Sequence, residues 1–154
     1  MLHGVYDNNK SKRMSFDVYL LKLAHVVKLR SQDAFRQVGA VCASEGNRIL
    51  SCGYNGLASG FEPTSGFYKD REDPIRELLT FHAELNALML CKKGDVKTMA
   101  LTCSPCKHCA KMIAGYGVER VIYTEEYDRE QEYKKIFDFY KIKYKIIEIG
   151  KTDL

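Results

Sequence analysis

The sequence has no long apolar run, no basic tract, no internal repeat and no low-complexity segment, and each absence removes a class of function. No stretch approaches the roughly 18 apolar residues of a membrane-spanning helix. Met1 to Arg13 is polar and lacks the apolar core of a signal peptide. A soluble protein with no membrane partner is expected, cytoplasmic, or in the host cytoplasm if the source is a virus. The 24 basic and 20 acidic side chains are dispersed, so the net charge of +4 brings no polybasic patch of the kind that tracks a nucleic-acid backbone. Nucleic acid is therefore not an expected partner, whereas a small anionic ligand suits the mild positive excess.

With 154 residues, 45% of them hydrophobic, the chain is long enough for one buried core and short for two. We read residues 1–154 as a single domain, with 1–13 as a candidate flexible tail. The cysteines do not spell out a disulfide framework. Cys42, Cys52, Cys91 and Cys103 stand singly in apolar stretches, where a reduced cysteine behaves as a small hydrophobe.

Helical spacing of Phe16, Leu20, Leu23, Ala24 and Val27 behind Ser15 predicts a first helix to about Arg30. Val38–Ala43 and Ile49–Tyr54 read as a hairpin around Glu45-Gly46-Asn47. Asn55 to about Arg71 has the composition of a functional loop, and Asp73-Pro74 can start a short helical turn leading to Phe81. A helix is expected over His82–Lys93, ending at Gly94, with Leu85, Leu88 and Met89 as its apolar face. Strands follow at Thr98–Cys103, Val118–Thr124 and Tyr144–Ile149, alternating with helices at Cys106–Tyr116 and at Glu130–Tyr140, the latter carrying Tyr133, Ile136, Phe137 and Tyr140. This order predicts an α/β fold: a three-layer α/β/α sandwich on a central mixed sheet of about five strands. Ligands in such sheets collect at strand carboxyl ends, where both of the motifs described next begin.

The chemistry is concentrated in His82-Ala83-Glu84 and Pro105-Cys106-Lys107-His108-Cys109. Cys106 and Cys109 are three apart, so on a helical turn both sulfurs face one side and can share a metal. His82 and Glu84 are two apart and would diverge along a helix, so they can serve one site only if it lies off the helix end. Pro105 suits a helix entrance. Two helix N-termini then face the metal and favour the thiolates. One imidazole and two thiolates leave zinc's fourth place open to water, and Glu84 is free to carry that water's proton. A structural clamp would normally take four protein ligands; His108, inside the turn, is expected to face solvent, and His25 and His3 to pack or lie at the surface.

H-x-E followed by P-C-x-x-C is the pattern of zinc deaminases acting on nucleobases: water's oxygen adds to C4 of cytosine, the glutamate protonates N3 and then the amine, and ammonia leaves. From about Leu21 to Tyr127 the sequence resembles the deoxycytidylate deaminases of the zinc-dependent cytidine deaminase superfamily. The resemblance includes Gln37-Val38-Gly39-Ala40-Val41, Gly53-Tyr54-Asn55-Gly56, His82-Ala83-Glu84-Leu85-Asn86-Ala87 and Thr102-Cys103-Ser104-Pro105-Cys106.

What this resemblance implies can be stated residue by residue. His82, Cys106 and Cys109 match zinc ligands, and Glu84 matches the proton shuttle. Asn55 matches a residue near the nucleotide's sugar and phosphate, Tyr127 one that covers the substrate, and Ala83 and Ser104 lie inside motifs that contact it. Gly53, Tyr54 and Gly56 belong to a motif linked to regulation by dCTP as activator and dTTP as inhibitor. The implied reaction converts dCMP to dUMP and supplies thymidylate synthesis. Related enzymes are often hexamers, so a homo-oligomer is expected. Some relatives carry a second zinc in an insertion before the active-site helix, but 55–81 holds no cysteine or histidine, so one zinc per subunit is expected. Arg36 is not a fixed family position; it is either a reach to the substrate phosphate or an ordinary surface arginine. The competing readings are an editing deaminase acting on RNA or single-stranded DNA, and a zinc-stapled nucleotide-binding module without catalysis.

Overall fold

A computed structural model describes residues 13–150, so the expected tail, with His3, lies almost wholly outside the described residues. The sheet is built from β1 (Gly39–Ala43), β2 (Ile49–Tyr54), β3 (Thr98–Leu101), β4 (Arg120–Tyr123) and β5 (Lys143–Ile146) in the order β2-β1-β3-β4-β5. The β1 strand pairs antiparallel with both β2 and β3, and β3, β4 and β5 run parallel. The expected mixed five-stranded sheet is present, with helices on both faces. In the hairpin connection Gly46 and Asn47 take left-handed backbones (φ 76° and 60°), as the turn signal anticipated.

Alternation along the strands divides the core in two. Val41, Ala43, Ala100 and Ile122 face α1 (Phe16–Lys28) and meet Leu20, Leu21 and Ala24. Ala40, Cys42, Met99, Leu101, Val121 and Tyr123 face the other side. That side carries α3 (Ala83–Leu88), α4 (Lys107–Gly115) and α5 (Tyr133–Phe139). Between β2 and α3 the chain makes its long excursion, which contains α2 (Pro74–Leu79), capped by Asp73 through Ile75 N at 3.0 Å. Among the described residues, no helix is long and apolar enough to cross a membrane.

Several boundaries and faces differ from expectation for identifiable reasons. The α3 helix stops at Leu88, not Lys93, because the Ala87 carbonyl accepts the Ser51 hydroxyl at 2.8 Å and the next amides, Leu90 N and Cys91 N, fall back to i−3 acceptors. Its buried face is Ala83, Glu84, Ala87 and Leu88, while Met89 is exposed. Small residues are required there: a Cβ on Gly53 would stand 2.5 Å from Ala87 N and 2.6 Å from Ala83 O, so β2 and α3 touch backbone to backbone. On α1, Leu21 is buried where Phe16 was expected, and Phe16 projects outward. The α4 helix ends in a Schellman motif, Val118 N to Ile113 O and Gly117 N to Ala114 O, which delays β4 to Arg120. The α5 helix is shorter than the span Glu130–Tyr140, burying Tyr133 and Phe137 and leaving Tyr140 exposed. Cys52 is exposed on edge strand β2, contrary to the reading of it as a buried hydrophobe.

Candidate functional site

Both motifs stand at helix starts. His82 is the N-cap of α3 and Cys106 the N-cap of α4, with the Cys106 sulfur accepting the Cys109 amide at 3.4 Å. Pro105 therefore sits one residue outside the cap rather than in the first helical position. Its neighbour Ser104 is tied to the following segment, accepting Tyr127 N on its hydroxyl at 2.7 Å.

The His82 Nδ1 lies 3.6 Å from the Cys106 sulfur and 3.3 Å from the Cys109 sulfur, and all three ligand atoms fall within 4.8 Å of one another. A tetrahedral zinc at its usual bond lengths would separate an imidazole nitrogen from a thiolate sulfur by about 3.6 Å. The donor set fits that ion in both kind and spacing. His108 is exposed and stands outside the cluster, as expected.

The electrostatics of the three groups are mutual. The Cys106 thiol is pulled down to about 3 by the hydrogen bond from Cys109, and the Cys109 thiol is pushed up by the same contact. The His82 imidazole is raised to about 9, chiefly by its hydrogen bond to Cys106. The contacts thus favour the thiolate at Cys106, the charge form a zinc ligand needs, and a bound metal would displace the protons held by His82 and Cys109. Glu84 is 4% exposed, and burial raises its carboxyl above the ordinary range, opposed by His82. A carboxyl in that condition can hold a proton as well as release one.

His82, Glu84 and Cys106 line one cavity of about 380 Å³, together with Ala83, Ser104, Arg36, Asn55 and Tyr127; Cys109 lies behind them, off its wall. The structure thus gathers the candidate catalytic and substrate residues at one place. Arg36 reaches across the mouth: its guanidinium carbon lies 4.3 Å from the centre of the Tyr127 ring, and one nitrogen is 3.5 Å from Glu125. Asn55 points inward to the chain, accepting Val38 N on its side-chain oxygen and donating to Arg36 O, each at 2.8 Å. Gly53, Tyr54 and Gly56 do not line the cavity. Gly53 is buried under α3, Tyr54 lies beneath Arg30 at 5.9 Å, and Gly56 bridges to Phe81.

Sequence reasoning missed Asp33, Arg71, Arg76, Glu77, Cys103 and Arg129 on the cavity wall. Asp33 had a local signal, since a polar Ser31-Gln32-Asp33 turn before a strand is where an aspartate binds its own backbone. Arg76 had none; only the tertiary fold brings it to Asp33.

Residues 14–125 match the family described as the cytidine and deoxycytidylate deaminase zinc-binding region. A probable deoxycytidylate deaminase of Caenorhabditis elegans is 35% identical over 133 residues, covering 82% of this chain and 67% of the worm protein. The deoxycytidylate deaminase of Mycobacterium phage D29 is 32% identical over 126 residues, covering 74% of this chain and 98% of its own. Among solved structures, dCMP deaminase from the cyanophage S-TIM5, crystallised with dCMP and dUMP, superposes with a TM-score of 0.70 at 28% identity, covering 88% of this chain and 100% of the phage protein.

Proposed function

The chain belongs to the cytidine and deoxycytidylate deaminase family, a family of hydrolytic deaminases, and from that premise we propose that its substrate is dCMP, converted with water to dUMP and ammonia. The observation that carries this reading is the cluster of His82, Cys106 and Cys109 beside a cavity whose wall includes His82, Cys106 and the buried Glu84. His82, Cys106 and Cys109 would hold one zinc per subunit. Bound there, zinc supplies a Lewis acid that brings the acidity of water into the neutral range.

The chain's own residues do the rest. Glu84, in the first turn of α3, takes a proton from the attacking water as its oxygen adds to C4 of cytosine. It delivers that proton to N3, then takes the remaining one from the new C4 hydroxyl and gives it to the exocyclic nitrogen, so that the C4–N bond breaks to release ammonia and leaves a C4 carbonyl. Burial makes Glu84 suited to both directions of transfer. Ala83 and Ser104 would bound the base, Tyr127 would cover it, and Asn55 and Arg36 would take the sugar and phosphate, a division supported by their all lining the cavity.

The proposal extends to regulation and assembly. Tyr54 and Gly56 lie outside the cavity, near the end of edge strand β2, so dCTP or dTTP bound there would act without competing for the substrate's place. A homo-oligomer and a cytoplasmic role in supplying thymidylate precursor complete the reading.

The test is a side-by-side assay of the zinc-loaded protein on dCMP, cytidine and single-stranded oligonucleotides, with and without dCTP and dTTP, reading ammonia release. Turnover confined to dCMP is expected. Preference for an oligonucleotide would make the chain an editing deaminase, and zinc binding with no turnover of any substrate would make it a binding module.

A further inference from the structure

Asp33 is a buried carboxylate that joins three segments around the cavity mouth. Its Oδ1 accepts Phe35 N at 2.8 Å and Arg36 N at 3.1 Å, closing the turn before β1. Its Oδ2 accepts Arg76 Nη1 at 2.9 Å and, at longer range, Asn55 Nδ2 at 3.5 Å. The pair is well enclosed, with side-chain exposures of 7% for Asp33 and 17% for Arg76. Arg76 comes from α2, in the middle of the long excursion, and is steadied by donating Nη2 to Arg71 O at 2.8 Å and by lying 5.4 Å over the Phe35 ring.

The consequence falls on Arg36. Its amide is held by Asp33 and its carbonyl by Asn55, and between these two anchors its side chain is aimed at Tyr127. The stretch 32–38 contains neither helix nor strand, so side-chain bonds of this kind are what fix its backbone. An enclosed carboxylate without its cation is strongly disfavoured, so the Asp33–Arg76 pair favours α2 staying where it is.

We propose that Asp33 and Arg76 form a latch that closes the excursion over the cavity and positions Arg36 and Asn55, thereby setting the affinity for the nucleotide. The proposal rests on the reading of the cavity as a dCMP site. Asp33 and Arg76 act through Arg36 and Asn55, so they are positioning residues with no part in the proton transfers. Loss of the latch therefore weakens binding while leaving the metal ligands and Glu84 in place.

The test compares Asp33→Asn, Arg76→Gln and the double variant in the zinc-loaded full chain. Each single variant is expected to raise KM for dCMP by about tenfold with kcat within about threefold of the parent. The double variant is expected to be no worse than the worse single, because both remove one contact. Arg76→Lys, which keeps the charge without the fork, should fall between Arg76→Gln and the parent. Unchanged KM, multiplicative effects in the double variant, or loss of zinc alongside the rise in KM would overturn the latch. Hydrogen exchange supplies a reading independent of the substrate: the Phe35 and Arg36 amides should be protected in the parent and lose protection in Arg76→Gln. Absence of that protection in the parent overturns the latch even if dCMP is turned over. Protection without any turnover of dCMP by the parent would instead leave the latch standing and defeat the substrate assignment.

Discussion

The Arg36 guanidinium carbon lies 4.3 Å from the centre of the Tyr127 ring, joining two residues that line the cavity. Arg36 lines the cavity while its side chain stays partly exposed and pairs with Glu125, so its position suits a role at the site. Tyr127 is presented by its own amide, bonded to the buried Ser104 hydroxyl. Tyr127→Ala should raise KM for dCMP by about tenfold, the scale of a partly desolvated cation–π contact. Tyr127→Phe keeps the ring and should stay close to the parent. Steady-state kinetics checks both, and an unaltered KM in Tyr127→Ala would remove the ring from substrate binding.

Glu84→Gln should fold, bind zinc and lose turnover. The glutamine is nearly the same size, and Glu84 is not one of the three clustered ligands. What disappears is the ability to carry a proton, and the expected fall in kcat is about 10³-fold. Metal content and a melting curve run alongside the assay separate this from misfolding. Turnover near the parent's in a zinc-replete variant would mean that another group moves the proton.

Cys106 has two separable roles, and two variants distinguish them. As N-cap it accepts the Cys109 amide, and as a thiolate it faces His82. Cys106→Ala loses both, so zinc affinity collapses and the metal-free protein also loses about 1 kcal/mol of helix capping. Cys106→Ser restores a cap without a thiolate. Its metal-free form should melt close to the metal-free parent, while its zinc affinity stays far below. Full zinc occupancy in either variant would show that the ligands are others.

The metal cluster was legible because its information is local: a three-residue spacing puts two sulfurs on one side, and a two-residue spacing forces the site off a helix end. The strands were legible for the same reason, as in Val121-Ile122-Tyr123. What escaped was set by distant partners. The early end of α3 depends on Ser51, 36 residues before Ala87, and the Asp33–Arg76 pair spans 43 residues with no periodic signal at either end. The exposure of Phe16 and burial of Leu21 likewise reflect which flank of α1 the sheet happens to cover. Gly53 is the instructive case: its place in a strand-ending motif was visible, but not that the space beside it is filled by the backbone of α3.

Gly53→Ala should therefore be costly although alanine is the smallest change available. The added Cβ would lie 2.5 Å from Ala87 N, a backbone atom that cannot step aside without moving α3. Overpacking of this kind costs about 1–3 kcal/mol. Since α3 is capped by His82 and carries Glu84, the displacement should also lower kcat. Urea unfolding and kinetics on the same preparation check the pair of effects. Gly56→Ala provides the contrast, because nothing lies within 4 Å of its added Cβ, and it should match the parent in stability.

His25 offers a prediction about pH whose sign follows from one hydrogen. Thr124 donates its hydroxyl to Thr102 O at 2.8 Å, so toward His25 Nε2, also at 2.8 Å, its oxygen can only accept. The proton of the neutral ring is therefore on Nε2, and Nδ1 is bare, buried and without a partner among the described residues. Protonation would place a hydrogen where nothing described receives it. Burial is the main cause that lowers the imidazole below its usual range; Lys28 adds to it and Glu125 opposes it. A histidine held neutral by the fold binds its proton more readily when unfolded. Its contribution to stability is thus present above the ordinary value of about 6.5 and declines as pH falls below it. An NMR titration should find the His25 ring changing charge below pH 6.5 in the native protein. In His25→Gln, whose amide can still donate to Thr124, that part of the acid-side stability loss should vanish from unfolding curves compared above and below that pH. A His25 midpoint above the ordinary value would reverse the sign and show that Glu125 outweighs burial.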